Sequence, residues 1–305
     1  MNNWYASDPK CFKSVTELKF FLEQFGTLTS RYHLSIPSDW SRSIREVFSE
    51  ASVMERHRIT EILIQAKERA ALFERRDVIW NERLSWVENA HQFNEAKNDL
   101  LSRIFVSDPA DLKASDSAAL MADLYLPPTE EEYIYANALE YARVSNILTK
   151  ISQELYFVDP YLDPLNVRVA RVLTEVLKNA AAGKCKKVFI FARNCEVAKK
   201  FSSMKKIEAI EMALEDIRQY SRLRAPIRMF LLDDKESKDR LHGRYLFSMK
   251  GGVRLDQGFQ ELRQGRGFKK VEVSPVGKSV LHELHRKFIR GDNDLEKVLI
   301  MSTTL

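Results

Sequence analysis

Cysteine is scarce in this sequence: three residues in 305, Cys11, Cys185 and Cys195, far apart. That spacing excludes a disulfide framework, and without a C-x-x-C pair a zinc ribbon is not expected. No apolar run reaches the ~18 residues that a membrane-crossing helix needs. The opening stretch Met1–Lys10 is polar and has no apolar h-region, so a secretory signal is not expected either. A cytoplasmic location fits these absences. There is no internal repeat with a period of about 20–50 residues and no low-complexity tract, which sets aside solenoids and compositionally biased tails.

What is present is the composition of globular domains, 45% hydrophobic and 30% charged. A chain of 305 residues exceeds one ordinary core, so two domains are expected. The net charge of +5 is unevenly placed: residues 1–182 carry −6, residues 183–290 carry +13 and residues 291–305 carry −2. Positive charge confined to one segment points to an anionic partner such as nucleic acid, with an anionic membrane surface or an acidic protein as alternatives. A merely solvated basic face is the plainer reading.

Residues 1–128 read as a helical domain. Lys13–Phe25 is amphipathic, Ser38-Asp39 offers an N-cap, and Ile59, Ile62, Leu63, Ala66, Ala70 and Phe73 recur at helical spacing. Asn81–Phe105 continues in the same style, so two long helices in a hairpin are expected. Trp40, Trp80 and Trp86 fit core or interface positions. In 129–155, Thr129 and Glu132 form an S/T-x-x-E capping box for a helix carrying Ile134, Ala138, Tyr141, Leu148 and Leu155, expected to bridge the two parts. From 156 to 305 the pattern becomes strand 156–158, helix 167–179, strand 187–192, helix 201–220, strand 227–232. A hairpin of 241–249 and 253–259 turning at Lys250-Gly-Gly, a short strand 270–273 and a helix 279–290 follow. The fold class is therefore α+β overall, with a helical first domain and an α/β domain with a mixed sheet.

Two short segments could carry chemistry. Asp159-Pro-Tyr-Leu-Asp163-Pro follows the first strand, where ligands of open α/β sheets bind; a turn is the plainer reading. His242-Gly-Arg244 is read as part of a strand, so both side chains share a face. An imidazole can attack phosphorus or protonate a leaving oxygen, and a guanidinium can hold phosphate oxygens in a fork. His282-Glu-Leu-His285 lacks zincin spacing, and no metal or other cofactor is expected. Lysines and arginines from Lys184 to Arg228 and from Arg263 to Lys270 suit phosphate backbones, and Phe268 in the second cluster could stack on a base.

Tyr156–Pro164, followed after two βα units by Leu241-His-Gly-Arg-Tyr-Leu-Phe-Ser-Met-Lys-Gly-Gly-Val-Arg-Leu-Asp-Gln-Gly-Phe259, resembles the phospholipase D-like superfamily. It is most similar to the branch with a single His-x-Arg motif, which includes the C-terminal domain of MIT-domain proteins and bacterial defence-associated proteins. The resemblance covers about residues 155–290. It implies that His242 is the nucleophile or acid and that Arg244 stands where a phosphate-binding Lys is usual. The motif's Asp falls on Met249, which cannot orient an imidazole. One motif copy implies a homodimer if the site turns over.

These readings converge on a phosphate-engaging module with a degenerate site that binds nucleic acid; the resemblance alone implies a role in prokaryotic antiviral defence. The alternatives are a metal-independent homodimeric phosphodiesterase or nuclease using His242, and an adaptor for anionic lipid or for a protein docked through the first domain. The candidate residues are His242 and Arg244 for catalysis; Arg244, Lys250, Arg254 and Arg193 for phosphate; and Asp159, Asp163 and Asp256 as supporting carboxylates.

Overall fold

The computed structural model describes residues 3–75, 78–108, 118–120, 131–199, 202–235, 237–238 and 240–303. The chain divides into two units, Met1–Thr129 and Glu130–Leu305.

The first unit is not a helical hairpin. It is a five-stranded, wholly parallel sheet in the order β3-β2-β1-β4-β5, built from β1 (Asn3–Ser7), β2 (Arg31–Ser35), β3 (Leu72–Glu74), β4 (Leu101–Val106) and β5 (Ala118–Leu120). Among the described residues four α-helices connect these strands: α1 (Val15–Glu23), α2 (Trp40–Val47), α3 (Val53–Glu68) and α4 (Trp86–Ala96). Helical periodicity was legible in α1 and α3, and Ile59, Leu63 and Ala66 are buried as that periodicity requires. The strands were missed because they are short, and β2 is buried at every position, so it lacks the alternation that marks a strand. The expected helix over 81–105 breaks at Asn98-Asp99, both left-handed at φ 54°. The Asn94 amide oxygen then accepts from Leu101 N–H at 2.7 Å and turns the chain into β4.

Each face of this sheet has its own core. Tyr5 and Phe105 meet Phe12, Phe21, Trp40, Ile59 and Leu63 on one side. Ala6, Ile104 and Val106 meet Val87, Ala90 and Phe93 on the other. Trp40 is fully buried, and its indole N–H donates to the Ser7 carbonyl at 2.7 Å.

The second unit contains an eight-stranded mixed sheet. Its strands are β6 (Glu132–Tyr135), β7 (Glu154–Val158), β8 (Lys187–Arg193), β9 (Ile227–Asp233), β10 (Tyr245–Ser248), β11 (Gly251–Leu255), β14 (Lys270–Pro275) and β15 (Glu296–Ser302), with a separate two-stranded ribbon of β12 (Arg263–Gln264) and β13 (Gly267–Phe268). The order is β15-β9-β8-β7-β10-β11-β14-β6, with β7, β8 and β9 parallel. The α+β class with a mixed sheet thus describes the chain, while the wholly helical first domain gives way to a second sheet.

Helix α5 (Ala138–Ile151) packs beside α6 (Val167–Ala181), which packs beside α7 (Ser203–Ser221). The helix expected as a bridge is therefore a layer of this unit. It starts later than the capping box implied. Asn137 caps it, accepting from Glu140 N–H at 3.0 Å, whereas Glu132 lies in β6 and Thr129 falls outside the described residues. α8 (Lys278–Leu284), continued by a π turn over His285–Ile289, covers the other face. There Tyr156 stacks between Phe189 and Phe247 at 4.9 and 5.2 Å. Parallel β7–β9 need crossover helices, and successive right-handed crossovers place α6 and α7 on one face.

Candidate functional site

After β9 the chain recrosses the carboxyl edge of β7–β9 and inserts β10 on the far side of β7, with Tyr245 opposite Val158. Strand order reverses between β8 and β10, which is where open α/β sheets keep their ligand crevices. The recrossing segment is 240–244, so His242 and Arg244 precede the strand instead of lying on it. The Tyr245 ring folds back over Gly243: a Cβ there would sit 1.9 Å from its Cε2, so any larger residue would displace that ring.

Arg244 is held from three sides. Its Nη1 donates to the Asp256 carbonyl at 2.6 Å, its Nε lies 3.8 Å from Asp159 Oδ1, and its guanidinium sits 5.4 Å from the Tyr161 ring centre. Asp159 is 3% exposed, and its two oxygens accept from the Tyr161 and Phe259 N–H groups at 2.9 and 3.1 Å. Burial raises its pKa, opposed by those two N–H groups and then by Arg244. Gly258, at φ +79°, brings the backbone against Asp159; a Cβ there would lie 2.3 Å from Oδ2.

A second guanidinium approaches the same ring, Arg193 at 6.0 Å. Arg193 makes a fork to Asp234, with Nε–Oδ1 and Nη2–Oδ2 both 2.8 Å, and donates to the Leu241 carbonyl at 2.9 Å. Asp234 also accepts from Leu241 N–H at 2.9 Å. Burial alone would raise the Asp234 carboxyl, but the Arg193 hydrogen bonds, the Leu241 N–H and the guanidinium charge bring it below its ordinary range. The bond to Asp234 raises Arg193 correspondingly. The pair clamps the segment that carries His242.

The structure brings Asp159, Arg193, His242 and Arg244 to one strand edge, with Arg254 and Asp256 beside it at the end of β11, and leaves Lys250 elsewhere. Lys250 lies beyond the opposite end of β10, so it does not share this edge. Arg254 is exposed on β11, opposite Tyr245. Asp163 accepts from the Leu165 and Ala198 N–H groups and serves as loop support. Asp256 contributes its carbonyl to Arg244 and its carboxylate to Gln257. His242 is exposed and has no hydrogen-bond partner among the described residues. Met249 is exposed in the turn beyond β10, far from it along the strand. Tyr161 and Asp234 were not singled out from the sequence. The available signals were an aromatic inside an Asp-Pro turn and a carboxylate pair, Asp233-Asp234, closing an apolar strand.

Chemically, the edge offers a preorganised guanidinium beside an exposed imidazole. Arg244 Nη2 makes no bond among the described residues, while Arg193 is committed to Asp234. His285 Nε2 lies 2.9 Å from the Ser248 carbonyl, and no group of His, Cys, Asp and Glu among the described residues is placed to hold a metal ion. Phe268 is already covered by the Arg263 guanidinium, 4.0 Å from its ring centre. No helix among the described residues is long and apolar enough to cross a membrane.

No family model and no curated protein sequence matches this chain. Among solved structures the chain aligns with TrmBL2, an archaeal chromatin protein reported to show a novel mode of DNA binding. The alignment has 12% identity and a TM-score of 0.29 over 85% of this chain and 82% of that one. A likeness of that size carries no argument about fold or ligand.

Proposed function

We propose that the second unit is a phospholipase D-like module that holds the phosphate groups of a nucleic acid without cutting them. The carrying observation is the contrast between Arg244 and His242. Arg244 is fixed by Asp256, Asp159 and Tyr161 at a strand-order reversal. Among the described residues His242 has no carboxylate to set its tautomer or orientation, the support that strengthens general acid–base and nucleophilic catalysis by histidine. The +13 charge of residues 183–290 supplies the long-range attraction that a polyanion needs.

The test measures anisotropy of labelled DNA and RNA with the full chain. Binding is expected at about 50 mM salt and should weaken steeply toward 200 mM. Arg244→Ala should weaken it roughly tenfold and lower the salt slope by about 1. His242→Ala should bind within twofold of wild type. No binding at low salt refutes the reading. Cleavage in EDTA that disappears in His242→Ala replaces it with the homodimeric phosphodiesterase, whose partner copy would supply the missing support. Binding to anionic vesicles in place of nucleic acid would favour the lipid adaptor.

A further inference from the structure

The cations of the second unit are not concentrated around Arg244. Lys184 and Lys186 follow α6, and Arg222 and Arg224 follow α7, so all four reach the amino edge of β8 and β9. β8 spans seven residues, which puts this edge about 20 Å from the Arg244 site. A groove of about 800 Å³ opens there, lined by Tyr220, Arg222 and Arg224 from the α7 end and by Lys178, Gly183 and Cys185 from the α6 end; Lys184 and Lys186 flank Cys185 in sequence without lining it.

We infer that this groove is a second phosphate-binding site and that it takes single-stranded nucleic acid, with Tyr220 as a stacking platform. The inference rests on the nucleic-acid reading above and extends it to a surface that the phospholipase D-like motif does not include.

Four observations carry it. First, Lys184, Lys186, Arg222 and Arg224 are exposed, and none has an acidic partner among the described residues. The neighbouring cations are spoken for: Lys178 pairs with Glu175 at 2.6 Å and Lys187 with Glu154 at 3.2 Å. Second, their backbones are pinned. Lys184 N–H donates to the Lys150 carbonyl at 3.0 Å and Lys186 N–H to the Gln153 carbonyl at 2.6 Å. Gly183 is pressed so close that a Cβ would lie 2.3 Å from the Lys150 carbonyl oxygen. Buried Leu223 and Ala225 alternate with Arg222 and Arg224 and turn both guanidinium side chains outward.

Third, Arg222 is left-handed, at φ 58°, on the α7 C-cap. Glycine is the usual occupant of the left-handed residue at a helix end, since a side chain is strained there. Keeping an arginine in a strained position points to a use for its charge. Fourth, Tyr220 is 74% exposed at the groove's edge, an aromatic face without cover. Helix polarity accounts for one cation near each C-terminus. Two helix ends bring only about −0.5 each, so four cations without an acidic partner among the described residues leave a clear surplus. A concave, basic groove with one exposed ring suits a strand with bases better than a flat membrane.

Arg222→Gly removes the charge and relieves the backbone, so a loss of binding cannot be assigned to unfolding. The experiment titrates a labelled single strand of about 16 nucleotides, and an abasic strand of equal length, against the full chain. Wild type, Arg222→Gly/Arg224→Gln, Tyr220→Ala and Arg244→Ala are compared at several salt concentrations. The double variant should bind about tenfold or more weakly, with a salt slope lower by about 2, while its melting temperature is equal to or above wild type. Tyr220→Ala should cost about fivefold with the base-bearing strand and nothing with the abasic one. Wild-type binding by the double variant overturns the groove. Loss of binding in Arg244→Ala alone then leaves the Arg244 reading standing by itself. No binding by wild type overturns both.

Discussion

Asp234→Ala should loosen the segment that presents His242 and Arg244. Asp234 receives three hydrogen bonds: two from Arg193 at 2.8 Å each and one from Leu241 N–H at 2.9 Å. The pair is shielded, with side-chain exposures of 18% for Arg193 and 5% for Asp234. Removing one partner of a buried pair costs about 3–5 kcal/mol, mostly from the charge left behind. Arg193 keeps the Leu241 carbonyl and some solvent, so the lower end, about 3 kcal/mol, is expected. Urea denaturation followed by circular dichroism measures it. All four tryptophans, Trp4, Trp40, Trp80 and Trp86, lie in the first unit, so indole fluorescence monitors that unit separately. A double-mutant cycle with Arg193→Met isolates the pair, with a coupling of about 1.5 kcal/mol or more expected. The folded Asp234 carboxyl is held below its ordinary value, so the pair's contribution is complete above the unfolded pKa of about 4. It is lost as pH falls through the folded value. The advantage of wild type over Asp234→Ala should therefore be flat from about pH 7 to 5 and shrink below about pH 4. A coupling under about 0.5 kcal/mol would refute the clamp.

Two further outcomes follow from the packing. Gly258→Ala forces a side chain into a left-handed residue and drives its Cβ against the Asp159 carboxylate that binds Phe259 N–H. A loss of about 2–4 kcal/mol in urea denaturation is expected, and a loss under about 1 would show that Asp159 can move aside. His33, buried beneath Trp40 with Ser7 Oγ 2.9 Å from its Nε2, has its pKa lowered to about 3 by burial. The unfolded chain then binds the extra proton between about pH 6.5 and 3, so the first unit loses stability on acidification, about 2 kcal/mol by pH 5. Tryptophan-monitored urea curves at pH 7.5 and 5 should show that loss in wild type and not in His33→Gln; equal losses would rule out His33 as the source.

The second unit was legible because its elements obey local rules. Its parallel strands are short, mainly apolar runs, Tyr156–Val158, Lys187–Ala192 and Ile227–Leu232, separated by amphipathic helices, and the glycine pair marked a hairpin, although the turn itself falls on Met249-Lys250 and Gly251-Gly252 begin β11. The edge strands were not legible. β6 shows no capping defect until its pairing with β14 is known, and β15 joins β9 through a contact some seventy residues distant. In the first unit, Trp4–Ser7 and Tyr32–Ser35 become strands only because each is flanked by the other. Short apolar segments carry no period long enough to tell strand from helix.

Charge and chemistry divide in the same way. The sequence by itself determined that residues 183–290 are strongly basic, that His242 and Arg244 stand two apart, and that Met249 replaces a carboxylate. Those properties are carried by residue identity. Only the tertiary structure decided that Asp159 and Tyr161 gather around Arg244, that the Arg193–Asp234 pair joins the same edge through Tyr161 and Leu241, and that Lys250 goes to the other end of a four-residue strand. It also decided that the cations at 184, 186, 222 and 224, which have no acidic partner among the described residues, collect at the opposite edge. The reason is topological. A parallel crossover carries the end of one strand and the start of the next to opposite edges of the sheet, so neighbours in sequence separate and residues far apart meet.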